Sequence, residues 1–117
     1  MRFVGIIFFG SLGYKCQAFV YQVVYRALGI SQVDKSQPTA REAKNSWLVS
    51  TSKTNISVGA AVYFNITSDG HVGIYVGDGM VVHMWPENKK GVVKMQSLDS
   101  LSNYAGWGWQ AGYDLSK

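Results

Sequence analysis

The stretch HVGIYVGDGMVVHM, residues 71–84, decides the fold of this chain. Its two halves are rich in β-branched and aromatic residues. Between them Gly77-Asp78-Gly79 is a turn, so the stretch reads as a β-hairpin. The chain's two histidines bracket it: His71 opens it and His83 stands next to its last residue. Side chains alternate faces along a strand. A three-residue loop of Gly77-Asp78-Gly79 pairs Val76 with Met80 and leaves His71 and His83 on one face. A two-residue loop would put them on opposite faces. The shared face also carries Gly73, where a missing side chain leaves room for a second imidazole or for substrate.

Strand patterns continue on both sides of the hairpin. Residues 60–66 form a strand before it, separated by the turn Asp69-Gly70. Residues 91–95 form one after it. In residues 104–113, Trp107, Trp109 and Tyr113 alternate with small residues as a fifth strand. Upstream the period changes. From Cys16, the residues Phe19, Val20, Val23, Val24, Ala27 and Leu28 recur at helical spacing, and Gly29 stops the helix. Thr39-Ala40-Arg41-Glu42 fits a capping box after Pro38, so a second helix runs to about Trp47. A polar loop follows over residues 50–57. Helices first and an antiparallel meander second give an α+β fold with a sheet of about five strands.

At 117 residues the chain suits one domain, 1–117, with one core. The segment MRFVGIIFFGSLG resembles a short signal peptide, but no small-x-small cleavage site precedes Lys15. Residues 1–9 are therefore expected to be a buried or truncated first element. No apolar run reaches bilayer length, so no transmembrane segment is expected. The net charge of +4 favours polyanions, among them the anionic polymers of bacterial walls. The basic residues are scattered, with only Lys89-Lys90 adjacent, so nucleic acid is not an expected partner. Seven Tyr, five Phe and four Trp suit a core, or a groove that grips a chain-like ligand.

One cysteine makes neither an internal disulfide nor a cysteine-rich zinc site. Cys16 opens a helix after a glycine-containing loop. Unpaired N–H groups and the positive end of the helix dipole there stabilise a thiolate, and Lys15 adds positive charge. The same N–H groups suit an oxyanion on a substrate carbonyl. An imidazole must take the thiol proton and return it to a leaving amine, and a third polar group must hold that imidazole. His71 fits the base and His83 the orienting group.

GAAVYF, DGHVGIYVGDGMVVHM and the strand GVVKM together resemble the core of the NlpC-type cell-wall cysteine peptidases, with the CHAP amidases as neighbours. FGSLGYKCQAFV resembles the loop and helix that carry their nucleophile. The resemblance covers about residues 10–95, and HVGIYVGDG is its most specific part. It implies a papain-like fold with the cysteine helix packed on an antiparallel sheet. It also implies cysteine hydrolase activity, peptidase or amidase, that cleaves peptidoglycan stem peptides through a thioacyl-enzyme. Cys16 would be the nucleophile, His71 the base and His83 the third polar member. No cofactor or metal is implied. The implied location is secreted, cell-wall-associated or that of a phage lysin. Two departures stand out. Gln17-Ala18 follows the cysteine where the NlpC type usually has Ser-Gly. Ile6 occupies the place of a tyrosine near the oxyanion site, for which Tyr14 is the substitute. Tyr14, Gln17, Gly73 and Trp85 are the candidate substrate-binding residues, with Trp85 as a groove wall.

Three other readings use the same residues. A non-catalytic module would grip wall polymer with the aromatics. A thiol acyltransferase or transamidase would pass the acyl group to an amine. A metal site would use Cys16, His71 and His83 as three ligands. Should His83 lie too far from His71, Glu87 or Asn88 is the replacement third member.

Overall fold

The computed structural model describes residues 16–29, 39–87 and 90–117. Tyr14, Lys15 and Asn88 lie outside the described residues, as does the apolar segment 1–9. Helix α1 spans Cys16–Leu28 and presents Phe19, Val20, Val23 and Val24 to the interior, the face that its periodicity predicts. Helix α2 spans Ala40–Trp47. The Thr39 hydroxyl accepts from the Glu42 N–H, and the Glu42 carboxylate accepts from the Thr39 N–H, completing the capping box.

Six strands follow: β1 Leu48–Ser50, β2 Ala61–Phe64, β3 His71–Gly77, β4 Met80–Glu87, β5 Lys90–Ser97 and β6 Tyr104–Gly108. They form one antiparallel sheet in the order β1-β6-β2-β3-β4-β5. β2 to β5 are a meander, and β6 returns to lie between β1 and β2. The sheet has one strand more than the sequence suggests, because β1 occupies the start of a segment read as helix end and loop. The fifth predicted strand ends at Gly108, and Gln110–Gly112 turns as a short 3-10 helix.

Both helices cover one face. There Phe19, Val20, Val23, Val24, Ala40 and Ala43 pack on Ala61, Tyr63, Val72, Ile74 and Met84. On the opposite face Val62, Phe64, Val81 and Leu98 form a second cluster beneath Ile56, Leu101, Tyr104 and Trp107. Ile74, Val62, Val72 and Val81 are among the side chains buried completely. Each such burial contributes about 1.5–3 kcal/mol relative to exposure. This two-sided burial fixes the register of β3 and β4, since a slip by one residue would send every side chain to the wrong face.

The β3–β4 connection departs from the expected geometry. Gly77 pairs with Met80, so the loop is the two-residue Asp78-Gly79. Both residues have positive φ, 52° and 72°, as a type I′ turn requires. Taken alone, that loop would separate the histidines. A β-bulge between Tyr75 and Gly77 adds one residue to β3 and restores the parity: Tyr75 pairs with Val81 and Gly73 with His83. His71 and His83 share a face because of the bulge, not because of an odd loop.

Candidate active site

His71 begins β3 and His83 lies in the middle of β4, both on the sheet face away from α1. Nε2 of His71 is 2.7 Å from Nδ1 of His83. Nε2 of His83 is in turn 2.6 Å from Oε1 of Gln96 on β5. The rings of His71 and His83 meet edge to face, and Trp85 stands edge-on to His71 with centroids 4.9 Å apart. Both histidines are buried, at 4% and 1% exposure. Burial, reinforced by the neighbouring His83, pushes the pKa of His71 down to about 4. Burial also lowers His83; the Gln96 hydrogen bond opposes that shift and the charge of Lys94 adds to it. Both imidazoles are therefore neutral at pH 7.

Cys16 is the first residue of α1 and half-buried. The backbone N–H groups of Val72, Gln17 and Cys16 itself act on its sulfur and lower its pKa. Desolvation outweighs them, and the charge of Asp69 adds to it, so the thiol is held above its ordinary value. The helix-start argument captured the donors but not the burial that overrides them. The Val72 contact sets the thiol beside the start of β3, next along the chain to His71. The β3–β4 pairing runs from Gly73↔His83 toward the turn, so Val72 lies just beyond its end.

The candidate substrate residues separate. Gln17 is 4% exposed, and its Nε2 donates to Oε1 of Gln110 at 2.6 Å. That side chain faces the interior, so only its backbone N–H acts on the Cys16 sulfur. Gly73 is buried too: a Cβ there would stand 2.5 Å from Val81 Cγ1 and 3.0 Å from His83 Cβ. The space it leaves is taken by the Val81 methyl and the base of the His83 side chain and has no room for substrate. Trp85 is half-buried, with its ring centroid 4.9 Å from that of His71. Glu87 ends β4, and the His71–His83 contact removes the need for a replacement third member.

Gln96 was not among the predicted residues. Extending the face parity by one strand, from His83 on β4 to its neighbours on β5, places Lys94 and Gln96 on the histidine face. Metal ligation is poorly served by this arrangement. Three of the four imidazole nitrogens are spent on the His71–His83–Gln96 chain, and no group of three or more His, Cys, Asp or Glu among the described residues is placed to hold a metal ion. Among the described residues no helix is long and apolar enough to cross a membrane.

A cysteine helix packed on an antiparallel sheet, with a paired histidine at the start of one strand, defines an α+β protein of the papain-like class. The NlpC/P60 family model matches residues 8–112, nearly the whole chain, and the chain belongs to the NlpC/P60 family. That family acts on peptidoglycan, and its members are generally cysteine peptidases or amidases. No curated protein matches the chain.

Proposed function

We propose that the protein hydrolyses peptide or amide bonds in peptidoglycan stem peptides through a thioacyl-enzyme. The observation that carries this reading is the 2.7 Å hydrogen bond between His71 Nε2 and His83 Nδ1, with His71 next in the chain to Val72, whose backbone N–H acts on the helix-start thiol. With Nε2 engaged, Nδ1 is the nitrogen left to His71 for a substrate or thiol proton. The thiol is held neutral by burial and the imidazole is neutral as well, so the resting pair is uncharged. Proton transfer then accompanies attack: His71 Nδ1 takes the Cys16 proton as sulfur bonds to the scissile carbonyl carbon. The N–H groups of the first turn of α1 stabilise the oxyanion. His71 returns the proton to the leaving amine as the C–N bond breaks. Water, deprotonated by the same nitrogen, then cleaves the thioester and frees Cys16.

His83 orients His71 throughout and supports its transient charge. Trp85 forms one wall of the groove along which the stem peptide lies. The substrate puts the working location at the cell wall, reached by export or by delivery as a phage lysin. The net charge of +4 favours contact with anionic wall polymers there.

Digestion of purified sacculi by wild type and Cys16→Ala, with products read by mass spectrometry, tests the proposal. Wild type should release muropeptides carrying a new amine and a new carboxyl end, and Cys16→Ala should release none. Equal release by both proteins, or release by neither, would overturn it. Products joined to an added amine in place of water would identify a transferase using the same residues.

A further inference from the structure

The hydrogen-bond chain does not end at the two histidines. It ends at Gln96 Oε1, on edge strand β5, and that terminus has a chemical consequence. A carboxamide oxygen only accepts, so His83 Nε2 must carry a proton to reach it. A neutral imidazole has one N–H, which makes His83 Nδ1 an acceptor. His71 Nε2 must then be the donor across the 2.7 Å contact. His71, also neutral, is left with an unprotonated Nδ1. Lys94, opposite His83 in the register, only donates and cannot take over the role of Gln96.

We infer that Gln96 is a positioning residue that sets the tautomer of both imidazoles by accepting from His83 Nε2, and so keeps the His71 Nδ1 lone pair available. The inference rests on the hydrolase reading for its purpose, but not for its test. Reversing the chain at Gln96 reverses each proton in turn: His83 becomes an Nδ1–H donor, His71 Nε2 an acceptor, and His71 Nδ1 carries hydrogen. A base protonated at the wrong nitrogen takes no proton from a thiol. In a serine hydrolase the wrong tautomer costs about 10⁴ in kcat. Gln96 acts through an intervening ring that keeps its own contacts, so the expected loss is smaller, about 10- to 100-fold.

The chain has only two histidines, so long-range ¹H–¹⁵N correlation of the imidazole nitrogens of the 117-residue chain reads both tautomers directly. Wild type at pH 7 should show both rings as Nε2–H. Gln96→Glu keeps an oxygen acceptor at this position and removes the NH₂ donor, so it should keep both tautomers. Gln96→Met keeps length but removes the acceptor; at least one ring should gain Nδ1–H, and kcat should fall about 10- to 100-fold with KM little changed. The backbone amide spectrum of each variant reports its fold. An Nδ1–H form of His71 in wild type, or unchanged Nε2–H tautomers and unchanged kcat in a folded Gln96→Met, would overturn the inference. Tautomers that follow Gln96 in a protein with no hydrolysis would sustain the relay and refute only the proposed reaction.

Discussion

Gly73 and His83 face each other across the β3–β4 ladder, and a Cβ on Gly73 would come within 3.0 Å of the His83 Cβ. It would also meet Val81 Cγ1 at 2.5 Å and the Val82 carbonyl oxygen at 3.1 Å, and the carbonyl belongs to a paired strand that does not yield readily. The position is thus closed by Val81 and by the base of the His83 side chain. Gly73→Ala should destabilise the protein by about 1–3 kcal/mol, the usual cost of overpacking. It should also displace the His83 ring from His71, so that hydrolysis falls further than the folded fraction does. Thermal unfolding measured beside the rate on sacculi checks both. A variant with wild-type melting temperature and rate would contradict this close packing.

The elements that formed as the sequence suggests are those with strong local codes. The apolar period after Cys16 defined α1, and Thr39 with Glu42 marked the start of α2. β-Branched runs located β2 to β5 within a few residues. What escaped is non-local or weakly patterned. Leu48, Val49 and Ser50 carry no alternation that separates a strand from a loop, and the placement of β6 beside β1 and β2 depends on contacts far apart in sequence. The bulge near Val76 is marked only by Gly77, with φ of 98°, which reads in sequence as a turn residue, yet the bulge decides whether the histidines meet. In the site, His71 and His83 were legible because each type is nearly unique here. Gln96 was not, since a glutamine on a half-exposed edge strand looks like ordinary surface until the register is known. Gln17 looked available to substrate because its sequence neighbour is the cysteine, whereas helical geometry turns its side chain inward.

Burial of His71 predicts a specific sensitivity to acid. Its pKa is about 4 in the folded protein and near 6.5 when unfolded. Between those values the unfolded chain binds more protons, so stability falls as pH drops from about 6.5 and levels off below about 4. The gap corresponds to roughly 3 kcal/mol. Urea unfolding across this range, compared between wild type and His71→Asn, isolates the contribution from that of the carboxylates. Wild type should lose more stability on acidification than the variant. Parallel losses would show that His71 is not held neutral by burial.

The bond from Gln17 to Gln110 joins the first turn of α1 to the segment after β6 through a buried contact of 2.6 Å. Gln17 Oε1 already has no hydrogen-bond partner, so the site tolerates one unsatisfied atom but has little margin for a second. Gln110→Leu should cost about 1–3 kcal/mol by stranding the Gln17 amide. Pairing it with Gln17→Leu should recover part of that loss, because both polar groups then leave the interior together. A double-mutant cycle by denaturant unfolding gives the coupling. Strictly additive losses would mean that the contact contributes nothing beyond its two separate side chains.

Cys16 provides the sharpest test of the uncharged resting pair. A helix-start cysteine with three backbone donors around its sulfur would ordinarily be a low-pKa, fast-reacting thiol. Here burial outweighs the donors, and the charge of Asp69 works in the same direction. Alkylation by iodoacetamide depends on the thiolate fraction. The rate for the folded protein at pH 7 should therefore be below that of the same cysteine in denaturant, and its midpoint should lie above that of the denatured chain. Asp69→Asn, in a turn outside the proposed machinery, should move the midpoint slightly downward by removing a negative charge. Hydrolysis should nevertheless proceed at neutral pH, because His71 removes the thiol proton during attack and no standing thiolate is needed. A midpoint below pH 7 in the free protein would instead indicate a preformed thiolate–imidazolium pair, and with it a His71 that carries charge at rest.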